Sequence, residues 1–132
     1  MVDYFSIQLI ETELTEVSSL GLAYVGDCVY ELLVRSHLLL QGRHTNRSLH
    51  AAAVEFSRAP AQAKAMERLL PSLTEEETAV YKRGRNTHVN SIPKNADVGE
   101  YHAATGLETL FGWLYLTGQK ARINELFDTI IN

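Results

Sequence analysis

The stretch "LAYVGDCVYELLVR", residues 22–35, decides the fold. Its apolar residues recur at helical spacing, yet Gly26 and Asp27 lie at its centre. Glycine costs a helix interior about 1 kcal/mol relative to alanine. A carboxylate among apolar neighbours is unfavourable unless something pairs with it. Two such liabilities, side by side in what should be the strongest helix of the chain, call for a purpose.

Working outward, this helix is expected from Ser18 or Ser19, either of which can cap it, to Gln41, with Gly42 as its stop. Helical periodicity continues on both sides, and no segment alternates as a strand does. A second helix follows Thr45–Asn46 through "RSLHAAAVEF". A third, "AQAKAMERLL", begins just after Pro60 and is closed by Pro71. The fourth opens on a capping box, Thr74 with Glu77, and runs to Arg83, where Gly84 ends it. Residues 84–96, "GRNTHVNSIPKNA", lack a helical period and form a connection of a length that is uncommon in a compact domain and usually functional or disordered. Asp97 with Glu100 then starts a long helix over about 98–117, and "ARINELFDTII" closes the chain. The reading is an all-α single domain, residues 1–132, of about six to seven helices.

Composition excludes several alternatives. A chain of 132 residues suits one domain that buries about two-thirds of its unfolded surface. A lone cysteine, Cys28, excludes an internal disulfide and a multi-thiolate zinc site and fits a reducing compartment. On its apolar face it reads as a buried structural thiol. The opening "MVDYFSIQLIETELTE" has no basic leader, and no run of about 20 apolar residues is present. A soluble, cytoplasmic chain is expected, with no membrane partner. The five histidines are scattered, and no phosphate-cradling glycine loop is present. Ser91-Ile92-Pro93-Lys94 matches an acyl-transfer pattern only by its letters, since a loop lacks the helix start that chemistry needs. The net charge is −4, yet Lys82, Arg83, Arg85 and Lys94 fall in a stretch with no acid. A basic segment over residues 82–96 is either an electrostatic footprint for phosphate or a solvated, basic helix end.

The second long helix repeats the oddity of the first. "ATGLETLFGWLYL", residues 104–116, sets Glu108 among Leu107, Leu110, Phe111 and Trp113, with glycines at 106 and 112. Small residues let backbones approach, and two carboxylates brought together repel. A hard divalent cation resolves that repulsion. The alternative is a pair of surface acids beside an apolar stripe, and spacing alone leaves both open.

These two helices resemble the signature helices of the ribonuclease III domain, where the first carries Leu-Glu-Phe-Leu-Gly-Asp and the second Asp-x-x-Glu before Ala-Leu-x-Gly-x-x-Tyr-Leu. The intervening "KRGRN…PKNADVGEY" is similar to one branch, Mini-ribonuclease III, which consists of the catalytic domain alone. No separate double-stranded-RNA-binding domain is therefore expected. The resemblance runs from about Leu20 to the C-terminus. It implies that Asp27 and Glu108 are catalytic, metal-binding acids. Ala23 and Thr105 stand where the wider family has two further acids. One Mg²⁺, for which Mn²⁺ can substitute, is then implied, with a second arriving alongside RNA phosphate. Thr105 is a candidate to orient a metal-bound water. Glu31, one turn beyond Asp27, is either a second such candidate or a solvated or salt-bridged acid. For Tyr101 and His102 packing is the default reading.

The implied activity is an endoribonuclease that cuts double-stranded regions of structured RNA, leaving 5′-phosphate and 3′-hydroxyl ends. The implied substrate is the large-subunit ribosomal RNA precursor, and the implied assembly a homodimer. Lys82, Arg83, Arg85, His88 and Lys94 would reach phosphates and 2′-hydroxyls. The competing reading is a nuclease-inactive RNA-binding or ribosome-assembly factor that retains the fold. Retention of both Asp27 and Glu108 argues against it.

Overall fold

Four helix starts follow directly from side chains that satisfy the free N–H groups of a first turn. Ser18 Oγ accepts from the Gly21 N–H at 3.0 Å, and Thr45 Oγ1 from Ser48 at 3.1 Å. Thr74 and Glu77 form a reciprocal capping box, and Asp97 Oδ1 accepts from Glu100 at 2.9 Å. The computed structural model describes residues 1–42, 45–87 and 91–132. Among them are α1 (Glu11–Leu14), α2 (Ser19–Leu40), α3 (Asn46–Ser57), α4 (Ala59–Leu69), α5 (Glu75–Arg85), α6 (Val98–Leu116) and α7 (Lys120–Ile131). A 3₁₀ turn at Leu70–Ser72 links α4 to α5. No strand occurs among the described residues, so the all-α reading holds.

Helix α6 is the central element, flanked by α2, α4 and α5. From Ala104 to Leu114 every residue of α6 is buried except Glu108, which is half-buried. A helix apolar on all sides belongs in the middle of a domain. Around it, Tyr30, Val34 and Leu38 of α2, Met66 and Leu69 of α4, and Leu126 of α7 are almost fully buried and complete the core. Tyr30 packs edge-on against Phe111, ring centroids 5.7 Å apart. Arg122 of α7 clamps Glu77 of α5 with two 2.8 Å hydrogen bonds. That hydrogen bonding holds the buried Glu77 carboxyl below its ordinary range.

The α2–α6 crossing is backbone on backbone. A Cβ built on Gly26 would run into the Glu108 carbonyl, and one on Gly112 into the Leu22 carbonyl. Gly26 therefore serves the approach of α6 itself. The cost of glycine to the helix is the condition for this contact.

Four local expectations are corrected. Gly84 does not end α5, which continues to Arg85; Gly84 is buried, and any Cβ there would strike Thr109 of α6. Helix α4 begins at Ala59, with Pro60 inside its first turn, where proline lacks nothing the helix needs. Helix α1, four residues long, is too short to show a period and was not expected. Cys28 is exposed rather than buried, because it lies on a side of α2 that α6 does not cover. No helix among the described residues is long and apolar enough to cross a membrane.

Candidate metal centre

Because α2 and α6 touch at Gly26 and Glu108, the neighbouring side chains converge. The carboxylates of Asp27 and Glu108 lie within hydrogen-bonding range of one another. Asp27 is exposed and Glu108 half-buried. Burial, reinforced by the charge of Asp27, pushes the Glu108 carboxyl up to about 8. Two like charges at this range resist being ionised together. Such a pair is what a cation would neutralise.

A third side chain reaches the pair from α4. Gln62 is only 3 % exposed; its Nε2 donates to Glu108 Oε2 at 3.5 Å and to the Ser57 carbonyl at 3.0 Å. Its Oε1 is buried without a partner. Sequence reading missed this residue. A signal was present, since Gln62 shares a helix face with Ala65, Met66 and Leu69, all buried. It is a polar residue on an apolar stripe, as Asp27 and Glu108 are.

Of the other two candidate residues, Glu31 does not join the pair, and Thr105 bonds to its own helix. Glu31 has both oxygens engaged, Oε1 by Arg35 Nε and Oε2 by Ser57 Oγ, each at 2.8 Å. Burial alone would raise its pKa, but these hydrogen bonds and the charges of Arg35 and His50 hold it low. It sits in the structure as an ion-paired acid. Thr105 is buried, and its hydroxyl donates to the Tyr101 carbonyl at 3.1 Å. That hydroxyl gives its proton to its own helix and keeps its oxygen as an acceptor.

Lys82, Arg83 and Arg85 lie in the last turn of α5 rather than in a loop, where cations also complement the helix dipole. Lys82, Arg83 and Lys94 are exposed. Arg85 lies over the Tyr81 ring, 5.5 Å from its centroid. Arg83 lines a crevice with Glu76, Trp113 and Thr117, so Arg83 and Arg85 do not share a face. His88 lies outside the described residues.

The donor set fits a hard divalent cation. It consists of carboxylate oxygens without thiolate or imidazole, and among the described residues no third acid, histidine or cysteine joins them. Two carboxylates suffice for an ion that keeps several of its waters and takes substrate phosphate oxygens as well. The open Gln62 Oε1 suits such waters, which are hydrogen-bond donors.

The same arrangement of helices is found in known proteins. A crystal structure of a Fusobacterium nucleatum protein matches with a TM-score of 0.79 at 29 % identity, covering 86 % of this chain and 91 % of that one. Mini-ribonuclease 3 of Enterococcus faecalis is 45 % identical over 118 residues, spanning 88 % of this chain and 89 % of its own. Mini-ribonuclease 3 of Symbiobacterium thermophilum is 47 % identical over 107 residues, with 81 % and 82 % covered. Residues 20–119 match the Ribonuclease III domain, a span that holds both acids and Gln62. The chain therefore belongs to the ribonuclease III family of endoribonucleases, in its Mini-ribonuclease 3 branch.

Proposed function

We propose that Asp27 and Glu108 hold a divalent cation, Mg²⁺ with Mn²⁺ able to replace it, and that this endoribonuclease cuts duplex regions of ribosomal RNA precursor. The observation that carries the reading is the meeting of the two carboxylates across the α2–α6 crossing. A cation bound there would supply charge stabilisation at the phosphate and a water more acidic than bulk water. The protein's own part is positional. Asp27, exposed, faces the side from which substrate arrives, while Glu108, half-buried, is fixed by the central helix. The buried flank around Glu108 limits access of bulk water and strengthens every charge interaction at the site. By likeness to the family, the products carry 5′-phosphate and 3′-hydroxyl ends.

Lys82, Arg85 and Lys94 are the cations offered to phosphate, whereas Arg83 is turned to the other side of α5; His88 belongs to the same stretch of sequence. A homodimer is supported by α2, which leaves Leu20, Tyr24, Leu32 and Leu39 exposed, Tyr24 by 84 %. With Cys28 they form a stripe along one side of the helix, and Asp27 borders it. Contiguous exposed apolar surface of this kind marks an interaction site. A second copy would bring a second acid pair beside the first. A cytoplasmic site of action fits the single cysteine.

The deciding experiment incubates the purified protein with a structured RNA duplex, with and without Mg²⁺. Cuts that require the metal and vanish in Asp27→Asn support the reading. Duplex binding without cuts at any metal concentration favours the RNA-binding factor instead.

A further inference from the structure

Gln62 is held in one orientation by its surroundings. Both neighbours of its Nε2, the Ser57 carbonyl and Glu108 Oε2, are acceptors. Reversing the amide would set oxygen against oxygen. The remaining atom, Oε1, is buried and has no donor. A leucine or methionine would fill the same volume without stranding a polar atom, so packing alone does not explain a glutamine here.

Its anchor is itself anchored. Arg35 donates to Glu31, whose other oxygen accepts from Ser57 Oγ, and the Ser57 carbonyl accepts from Gln62. A chain of polar contacts thus runs from α2 through the α3–α4 corner to Glu108 on α6. Linked hydrogen bonds of this sort fix the geometry of their terminal member. That member is the carboxylate of the acid pair.

We propose that Gln62 is a positioning residue of the metal centre, whose Nε2 holds the Glu108 carboxylate ready to ligate and whose Oε1 accepts from a donor that arrives with the hydrated cation. The proposal rests on the reading that Asp27 and Glu108 bind the cation. Outer hydrogen bonds that orient a ligand commonly govern metal affinity, by about 10–100-fold when removed.

The test titrates Mn²⁺ into RNA-free protein, followed by water-proton relaxation, together with melting temperatures with and without Mn²⁺. Wild type, Asp27→Asn, Gln62→Leu and Gln62→Glu are compared. Gln62→Leu, similar in size, should bind Mn²⁺ about tenfold more weakly, with KM for duplex RNA unchanged at saturating metal. Gln62→Glu exchanges the donor for a third carboxylate. It should melt lower than wild type without metal and gain more from Mn²⁺ than wild type does. No Mn²⁺ binding by wild type, or wild-type affinity in Asp27→Asn, overturns the metal-site reading itself. If Asp27→Asn is impaired, wild-type affinity in Gln62→Leu overturns the role of Gln62 alone. Should Gln62→Leu fail to fold, Gln62→Glu decides. A Gln62→Glu protein that Mn²⁺ stabilises no more than wild type, or leaves unfolded, overturns the proposal.

Discussion

The carbonyl of Glu108 occupies the space that a Cβ on Gly26 would need. One contact thus joins the two central helices and sets the depth at which Asp27 and Glu108 face each other. Gly26→Ala tests both consequences. Helix propensity alone would stabilise the variant by about 1 kcal/mol. Backbone cannot move aside as a flexible side chain can, so a net loss of roughly 1–3 kcal/mol is expected from denaturant unfolding. A stabilised variant would show that the crossing is looser than described.

Asp27→Asn and Glu108→Gln should each nearly abolish cleavage of duplex RNA while leaving the helical circular dichroism intact. Neither removes a packing contact, and each relieves a repulsion. Wild-type turnover in either variant at saturating Mg²⁺ would refute the assignment of the pair.

The acid pair also predicts a pH dependence. The folded-state pKa of Glu108, about 8, lies above its ordinary value of 4.5. A carboxyl raised in this way contributes stability that is present below 4.5 and is lost as pH rises through about 8. Glu31 and Glu77 are shifted the other way, and their contributions fade only in acid, as pH falls through their lowered values. In metal-free buffer, the melting temperature of wild type minus that of Glu108→Gln should therefore fall as pH is raised through this window. Divalent cation binds the ionised pair, so its stabilising effect should grow over the same interval. A pH-independent difference between the two proteins would contradict the shift.

Duplex RNA lying along one side of α5 can meet Lys82 and Arg85, which are about 60° apart on the helix, but not Arg83, about 200° from Arg85. Lys82→Ala and Arg85→Ala should weaken binding alike for all sequences. Each should flatten the slope of log affinity against log salt by about 0.9, the value for B-form DNA. Arg83→Ala should leave that slope unchanged. An equal change for Arg83→Ala would mean that the duplex crosses the end of the helix.

The exposed stripe on α2 predicts a solution mass near twice the 14.8 kDa of one chain. Tyr24→Glu, at the most exposed residue of the stripe, should give a monomer that stays folded, since its side chain is 84 % exposed. Sedimentation of the two proteins at micromolar concentration checks this, and a monomeric wild type would exclude the dimer.

What the sequence determined by itself is local. Ser18, Thr45, Thr74 and Asp97 start their helices through bonds to residues three positions on, and such bonds depend on nothing distant. The same holds for the oddity of Asp27 and Glu108, since an acid in an apolar run is visible without any neighbour. The tertiary structure decided everything that depends on which faces meet. Gly84 reads as a stop, yet it is the surface on which Thr109 rests. Cys28 reads as core, yet α6 covers a different side of α2. Arg83 and Arg85 read as one patch until the helix is found to continue through them. Gln62 acquires a role only because α4 lies against α6 at Glu108. Capping and periodicity act over one turn of chain, whereas the rotation and depth of each helix are set by close packing against residues far away in sequence.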